Sequence, residues 1–464
     1  MKNVMTEKRI LTKMILLAAG AFLFCASSAG AYYVDPKKIG SPKGEVCIQC
    51  HKEATPGIYN QWKESAMGQA GVNCYDCHQA EQGDPDAFEH KELIHIVVTP
   101  KNCARCHEKE FKEFESSAHA DAVKNMDKMD GHAAKIAWGD DGKRTGCVSC
   151  HGSVLKVMEA GMLEPDTWPN TGIGRVNPDG SRGSCTACHT RHIFSREQAR
   201  RPDTCGRCHT GDEHPQRQVY AGSKHGIMYQ AFRDDMNMDK RRWLAGLDYY
   251  QAPTCVTCHM GAMPPQMEVK NADERIDQAL RSVLKGDEKE FQALLEPTRV
   301  TQRNFGTTHN VSSRISWDLR SPVSVKTEDW QSKRDMMQAV CKQCHSIHFM
   351  QQHFDQFDKL VERYNNVFAI PATNIRNALM KDGKLTEDPF DDRLDVIYWE
   401  MVNGFGRKAR NGAAMVNPEY SWEEGMKGLA MQFEEEFIPE VEKLIGRKTK
   451  SFLEDNGYKA ESDH

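Results

Sequence analysis

Cys147-Val148-Ser149-Cys150-His151 decides how this sequence is read. Two thiols three residues apart, followed at once by an imidazole, form the attachment signature of c-type haem. The thiols add to the two vinyl groups of the porphyrin, and the histidine supplies the proximal axial nitrogen to iron. The same pattern occurs seven more times: Cys47/Cys50/His51, Cys74/Cys77/His78, Cys103/Cys106/His107, Cys185/Cys188/His189, Cys205/Cys208/His209, Cys255/Cys258/His259 and Cys341/Cys344/His345. Zinc knuckles do not need a histidine after every pair. A disulfide framework would not place every cysteine three residues from a partner. Thioredoxin-like motifs occur singly beside a βαβ unit, and none is visible here. The expectation is eight covalently attached haem c groups.

Working outward, the chain has 464 residues with 17 cysteines and 19 histidines. A mean hydropathy of −0.66 excludes a multi-span membrane protein. A net charge of −5 excludes a generally basic nucleic-acid binder. Residues 1–31 read as an export signal. Lys2, Lys8, Arg9 and Lys13 precede an apolar core from Met14 to Phe24, and Ala29-Gly30-Ala31 is a small-x-small cleavage site. That core is too short to span a bilayer. Phe24 stands before Cys25 where a lipoprotein would carry a small residue. The mature chain is therefore expected to be soluble and periplasmic, or otherwise exported. Every cysteine left after cleavage belongs to a haem motif.

The motifs fall at unequal intervals, so this is no fixed-period repeat. The expected fold is mainly α with little β: a multihaem cytochrome c whose core is packed by haem. Four segments are expected: the cleaved signal over 1–31, a seven-haem region over 32–270, a connecting region with the eighth haem over 271–370, and a C-terminal helical region over 371–464 suited to oligomer contacts. Trp168-Pro169-Asn170 and Asn177-Pro178-Asp179-Gly180 carry turn chemistry. Apolar spacing predicts helix over 272–296 and again from about 331. One helical face carries Phe354, Phe357, Val361 and Tyr364. A second, Leu394 to Val402, is expected to stop near Gly404. Ser421 with Glu424 matches a capping box, and Pro439 is expected to kink or break the last helix.

Eight proximal histidines leave His90, His95, His119, His132, His192, His214, His225, His309, His348, His353 and His464. An electron-transfer haem takes a second strong axial ligand, whereas a catalytic haem keeps that side open. The distal candidates are His90, His95, His119, His132, His192, His225, His309 and His348. Met67 is a thioether alternative.

The eight motifs in this order resemble the octahaem hydroxylamine oxidoreductase family. Supporting segments are Trp168-Pro169-Asn170 through Ser181, His189-Thr190-Arg191-His192, His214-Pro215-Gln216, Ser223-Lys224-His225-Gly226, Ala252-Pro253-Thr254-Cys255 and Arg314-Ile315-Ser316-Trp317. The resemblance implies a mostly helical fold, trimeric assembly and an open active haem fourth in order, held by Cys147, Cys150 and His151. The segment after the sixth motif also resembles pentahaem nitrite reductases, whose His-Pro pair supplies a substrate-binding histidine. That implies His214 in the distal pocket with Glu213 beside it, and Asp203 and Tyr250 as weaker catalytic candidates. Oxidative members of the family carry a tyrosine, contributed by a neighbouring subunit, that bonds to the active haem. Here that slot falls on Met426 or Lys427, with Tyr420 earlier, which points to the reductive branch. No motif ends in lysine, unlike the octahaem nitrite and tetrathionate reductases.

Three functions follow as expectations: reduction of nitrite or hydroxylamine toward ammonium or nitric oxide, fed by a cytochrome or quinol-linked donor; oxidation of hydroxylamine or hydrazine; or electron transfer without catalysis.

Overall fold

The computed structural model describes residues 39–127, 146–262, 285–286, 307–387, 390–446 and 449–458. The export signal, Cys25, His132 and His464 lie outside the described residues, as does the helix expected over 272–296 apart from 285–286. The fold is mainly helical. Strand is confined, among the described residues, to two small antiparallel hairpins: Ala87–Glu89 against Leu93–His95, and Trp317–Asp318 against Val325–Lys326. No helix among the described residues is long and apolar enough to cross a membrane.

Each haem motif is one turn of helix. Cys74–His78, Cys147–His151 and Cys255–His259 are free-standing five-residue helices. The 47–51 motif lies inside the longer helix Pro42–Ala54. In the other four, the histidine N–H donates to the carbonyl of the first cysteine: His107 to Cys103 at 2.8 Å, and His189 to Cys185, His209 to Cys205 and His345 to Cys341 at 3.0 Å each. One turn puts residues i, i+3 and i+4 on the same face, so both sulfurs and the imidazole point the same way. So short a helix does not stand alone. Local caps start several of them: Asn73 and Asp76 form a capping box, as do Thr254 and Thr257.

The motif-rich half holds little apolar core. Up to residue 215, the buried apolar side chains among the described residues are Ala80, Val97, Phe114, Ala120, Ala122 and Leu155. That is too few to organise a chain of this length by side-chain burial alone, so covalently held porphyrin has to supply the missing apolar surface. Turns do much of the routing. Asn177 and Ser181 close one turn by a 2.9 Å backbone bond. Asp179 Oδ2 in that turn accepts from Thr99 Oγ1 at 2.6 Å and so ties it to the third motif's helix, Pro100–Ala104.

The C-terminal part is packed conventionally. Tyr364, Ile375, Leu379, Leu394, Met401, Leu429, Phe433, Phe437 and Val441 form one buried cluster. Phe433 stacks on Phe437 with ring centres 5.4 Å apart and meets Phe368 edge-on at 5.6 Å. Helix runs through the places where breaks were expected. Arg393–Trp399, Glu400–Phe405 and Gly406–Ala414 are continuous, so the second helix does not stop at Gly404. A Cβ on Gly406 would lie 2.4 Å from Cε2 of Tyr364. Gly404 itself lies inside the widened turn Glu400–Phe405, which carries the helix on. Ser421 is no N-cap. It lies inside Glu419–Lys427, and its hydroxyl bonds back to the carbonyl of Pro418 at 3.4 Å. Pro439 does not break the helix either, because it follows the widened, π-type turn Phe433–Phe437, where the hydrogen-bond ladder has already changed register. Pro371 follows Asn365–Ala369 in the same way.

Phe433→Ala is expected to cost about 3–5 kcal/mol through the cavity it leaves. Thermal denaturation followed by circular dichroism of the haem-loaded protein will show this as a lowered Tm. An unchanged Tm would mean that the C-terminal cluster does not limit stability.

Candidate functional site

Five proximal histidines face a second imidazole. Ring centres are 6.2 Å apart for His51 and His90, 6.1 Å for His209 and His119, 6.4 Å for His151 and His214, 6.4 Å for His189 and His309, and 5.9 Å for His345 and His225. Imidazole–metal bonds are about 2 Å long, so two rings on opposite sides of one iron have centres roughly 6 Å apart. The donor sets therefore fit haem iron. Proximal rings are oriented through their other nitrogen, as metal-ligating histidines usually are. His78 Nδ1 meets the carbonyl of His95 at 2.7 Å, His151 Nδ1 that of Ala122 at 3.0 Å, and His51 Nδ1 the Thr55 hydroxyl at 2.8 Å. Burial pushes His119, His189, His192 and His259 down to about 4, which favours the neutral ring that can ligate iron.

The remaining candidates have other surroundings. His95 holds Asp86 with Nδ1 at 2.9 Å and Asp84 with Nε2 at 3.2 Å. Both ring nitrogens are engaged by carboxylates, and the His95 carbonyl holds His78 Nδ1. His192 is within electrostatic range of His78, and His353 of His345. His348 is exposed on the helix Ile347–Tyr364, and Met67 is half-buried in Ala66–Gln69. Asp203 is exposed and pairs with Arg217 at 3.4 Å. Tyr250 is 76% exposed.

The cysteines trace how the motifs follow one another in space. None of the sixteen described cysteines is paired in a disulfide. The Cys103 thiol lies beside that of Cys185, Cys205 beside Cys255, and Cys150 beside Cys208. At longer electrostatic range Cys74 meets Cys47, Cys77 meets Cys103, Cys188 meets Cys205, and Cys258 meets Cys341. Motifs one, two, three, five, six, seven and eight thus form a line. The third motif touches the fifth directly, and the fourth joins the line at the sixth. Cys150 Sγ also reaches the carbonyl of Arg207, inside the sixth motif, at 3.9 Å.

The second thiols of the first and third motifs make no new link in this line. Cys50 is exposed and lies in electrostatic range of Cys47, its own motif partner, while Cys106 is half-buried and in range of Cys77. For Cys50 and Cys106 the described contacts add nothing to the haem attachment that the motif itself implies. Position explains both. Cys50 belongs to the first motif, at one end of the line, and Cys344 is likewise exposed in the eighth, at the other. The third motif meets the second through both Cys103 and Cys106, and the fifth through Cys103.

Neighbouring strands of chain brace this arrangement. Ile173 and Gly174 N–H donate to the carbonyls of Cys150 and His151 at 2.9 and 3.1 Å, satisfying the open end of the fourth motif's helix. Buried Arg314 does the same for the seventh: Nη1 donates to the carbonyls of Thr257 and Cys258 at 3.3 and 3.1 Å, and Nη2 to that of Gly261 at 2.5 Å. On the distal side of the fourth motif, the Glu213 carbonyl accepts from Arg407 Nη1 at 2.7 Å, and Asp212 pairs with Lys408 at 3.1 Å. The partners Arg407, Lys408 and Ala122 carry no motif, so nothing in the linear sequence flagged them.

Residues 70–264 match the family described as seven times multi-haem cytochrome CxxCH. The haem-binding turns and the fold together define a multihaem c-type cytochrome. More particularly, the chain is similar to proteins named as hydroxylamine oxidoreductase-like. It is 24% identical over 352 residues to a probable nitrite reductase-hydroxylamine oxidoreductase fusion protein of Kuenenia stuttgartiensis, a match covering 68% of this chain and 35% of that relative. The chain thus spans about a third of the relative's length. A solved hypothetical multiheme protein shares the fold with a TM-score of 0.70 at 23% identity, covering 89% of this chain and 98% of that one. The reducing HAO-like protein complex of Kuenenia stuttgartiensis follows with a TM-score of 0.58 at 19% identity, covering 89% and 87%.

His225→Ala is expected to convert one haem, that of His345, from low to high spin in electron paramagnetic resonance spectra. An unchanged spectrum would separate His225 from that iron.

Proposed function

We propose that this chain is an exported oxidoreductase of small nitrogen compounds, working mainly in reduction. All eight motifs carry haem c, and substrate is handled at the fourth. The observation that carries this reading is the side position of the fourth motif: Cys103 of the third lies beside Cys185 of the fifth, while Cys150 of the fourth reaches the Arg207 carbonyl of the sixth at 3.9 Å. Through-positions suit conduction, and a side position suits a place where electrons are delivered to a substrate.

When bound, the haem of His151 supplies electron exchange and an iron for the nitrogen compound to bind. The chain supplies the rest. His214 stands across from His151, within reach of anything held between them, and Glu213 precedes it on the same loop. Reduction of nitrite or hydroxylamine consumes protons with the electrons. An imidazole and a carboxylate at one distal face can hold and pass protons to the substrate oxygen. The direction rests on the tyrosine slot. Met426 packs against the C-terminal cluster, and Lys427 pairs with Glu423 at 2.7 Å, so neither slot residue offers a phenol. A cytochrome or quinol-linked donor would feed the line, and the family resemblance implies a trimer.

A second reading has its own observation. The 6.4 Å between His151 and His214 matches the four other facing pairs, which is the spacing of an iron closed on both sides. In that case His214 must withdraw before substrate binds, or the protein is a conductor alone.

Given a chemical reductant, the purified haem protein is expected to consume nitrite or hydroxylamine and to release ammonium or nitric oxide. His214→Ala is expected to lower kcat by roughly 100-fold or more, the scale of a lost proton donor. If the wild-type protein consumes neither compound, the enzyme reading fails and the conductor stands. If it oxidises hydroxylamine instead, and peptide mass spectrometry finds a tyrosine–haem bond, the direction is wrong.

A further inference from the structure

The loop carrying His214 cannot hold an imidazole in place by itself. Residues 210–215 form no helix or strand, Gly211 sits at a φ of +89°, and the Asp212 side chain is 86% exposed. A ring facing an iron has to be placed to fractions of an ångström. Two consecutive residues of the C-terminal helix Gly406–Ala414 grip the two residues before it. Arg407 Nη1 donates to the Glu213 carbonyl at 2.7 Å, and Lys408 Nζ pairs with Asp212 Oδ1 at 3.1 Å.

Both cations are themselves held. Arg407 Nη2 donates to Asn403 Oδ1 at 2.7 Å, one turn back on the same continuous helix, and to the Arg320 carbonyl at 3.1 Å. The Lys408 side chain is only 14% exposed, also reaches Glu424 at 3.5 Å, and lies over the ring of Phe405 at 5.6 Å. The helix beneath them is fixed by Arg410, fully buried. Its guanidinium donates to the carbonyls of Gly406, Val402 and Ser321 and to the Ser324 hydroxyl, and it stacks on Tyr364 at 4.1 Å. Just beyond, Asn417 Nδ2 donates to the Val219 carbonyl at 2.9 Å and holds the far end of the same stretch.

We propose that Arg407 and Lys408 are positioning residues that set where His214 stands relative to the iron of His151. The C-terminal bundle, which holds no haem motif past Cys344, thereby controls the distal face of the fourth haem. The grip acts on a backbone carbonyl and a neighbouring carboxylate, so it moves the loop as a unit without touching substrate. This inference rests on the reading of the fourth haem as the reactive one for its kinetic consequence. The spectroscopic consequence stands without it.

The test uses Arg407→Ala, Arg407→Lys and Lys408→Ala in the full haem-loaded chain, read by electron paramagnetic resonance and by steady-state kinetics. Arg407→Ala is expected to change the spin-state signal of one haem and its binding of nitrite, with the signals of the other haems unchanged. Lys408→Ala is expected to do the same more weakly, and Arg407→Lys to restore part of the wild-type spectrum. In turnover, kcat is expected to fall by about tenfold to 100-fold while KM changes little, the scale of a misplaced catalytic group. If Arg407→Ala and Lys408→Ala leave the spectrum of every haem as in wild type, the inference is overturned. It is also overturned if all haems change together, which would mark a structural role only. A wild-type protein that is inactive, yet shows the single-haem change on Arg407→Ala, would refute the enzyme reading and uphold the positioning role.

Discussion

Two sulfurs and one imidazole nitrogen must converge on the same porphyrin from five residues of chain. One helical turn is the conformation that does this, and each motif adopts it or closes the backbone bond that defines it. Everything else in the motif-rich half serves these turns. Capping residues start them, the turn at 173–174 and Arg314 finish them, and second histidines arrive from elsewhere in the chain to face five of them.

The molecule is held together in two ways. Up to residue 215 buried apolar side chains are sparse, so order depends on covalently attached porphyrin and on polar turns such as that of Asp179. Past residue 364 the packing is that of an ordinary helical protein, with stacked aromatics and a Gly406-to-Tyr364 contact that tolerates no side chain. The two parts meet at the loop before His214. That junction places a conventionally stable scaffold behind His214, where a loop supported by haem alone would have little to fix it.

The motifs made the haem turns, their number and the helical class legible in the sequence. The apolar stripes of Phe357, Val361 and Tyr364 and of Leu394, Ile397 and Met401 did lead to buried faces. Local rules failed where long helices absorbed a breaker. Gly404, Ser421 and Pro439 all lie in or beside widened turns, which one-residue propensities do not anticipate. The distal side was hardest to read. Nothing in the spacing of His119 links it to His209, ninety positions away, or places His95 between two aspartates. Nor does the repeated motif tell a linking thiol such as Cys103 from Cys50 or Cys106, which make no new link in the line. Facing pairs and thiol links are set by the path of the chain in three dimensions, and so are Arg407 and Lys408.

The central claim is the order of the haems: a line through the first, second, third, fifth, sixth, seventh and eighth motifs, with the fourth beside it at the sixth. The most direct measurement is an experimental structure of the haem-loaded protein, by cryo-electron microscopy or crystallography, from which iron-to-iron distances are taken. The account predicts that the iron bound by His151 has the iron of His209 as its nearest neighbour, while the irons of His107 and His189 adjoin each other. An iron of His151 lying between those of His107 and His189, in sequence order, would contradict it.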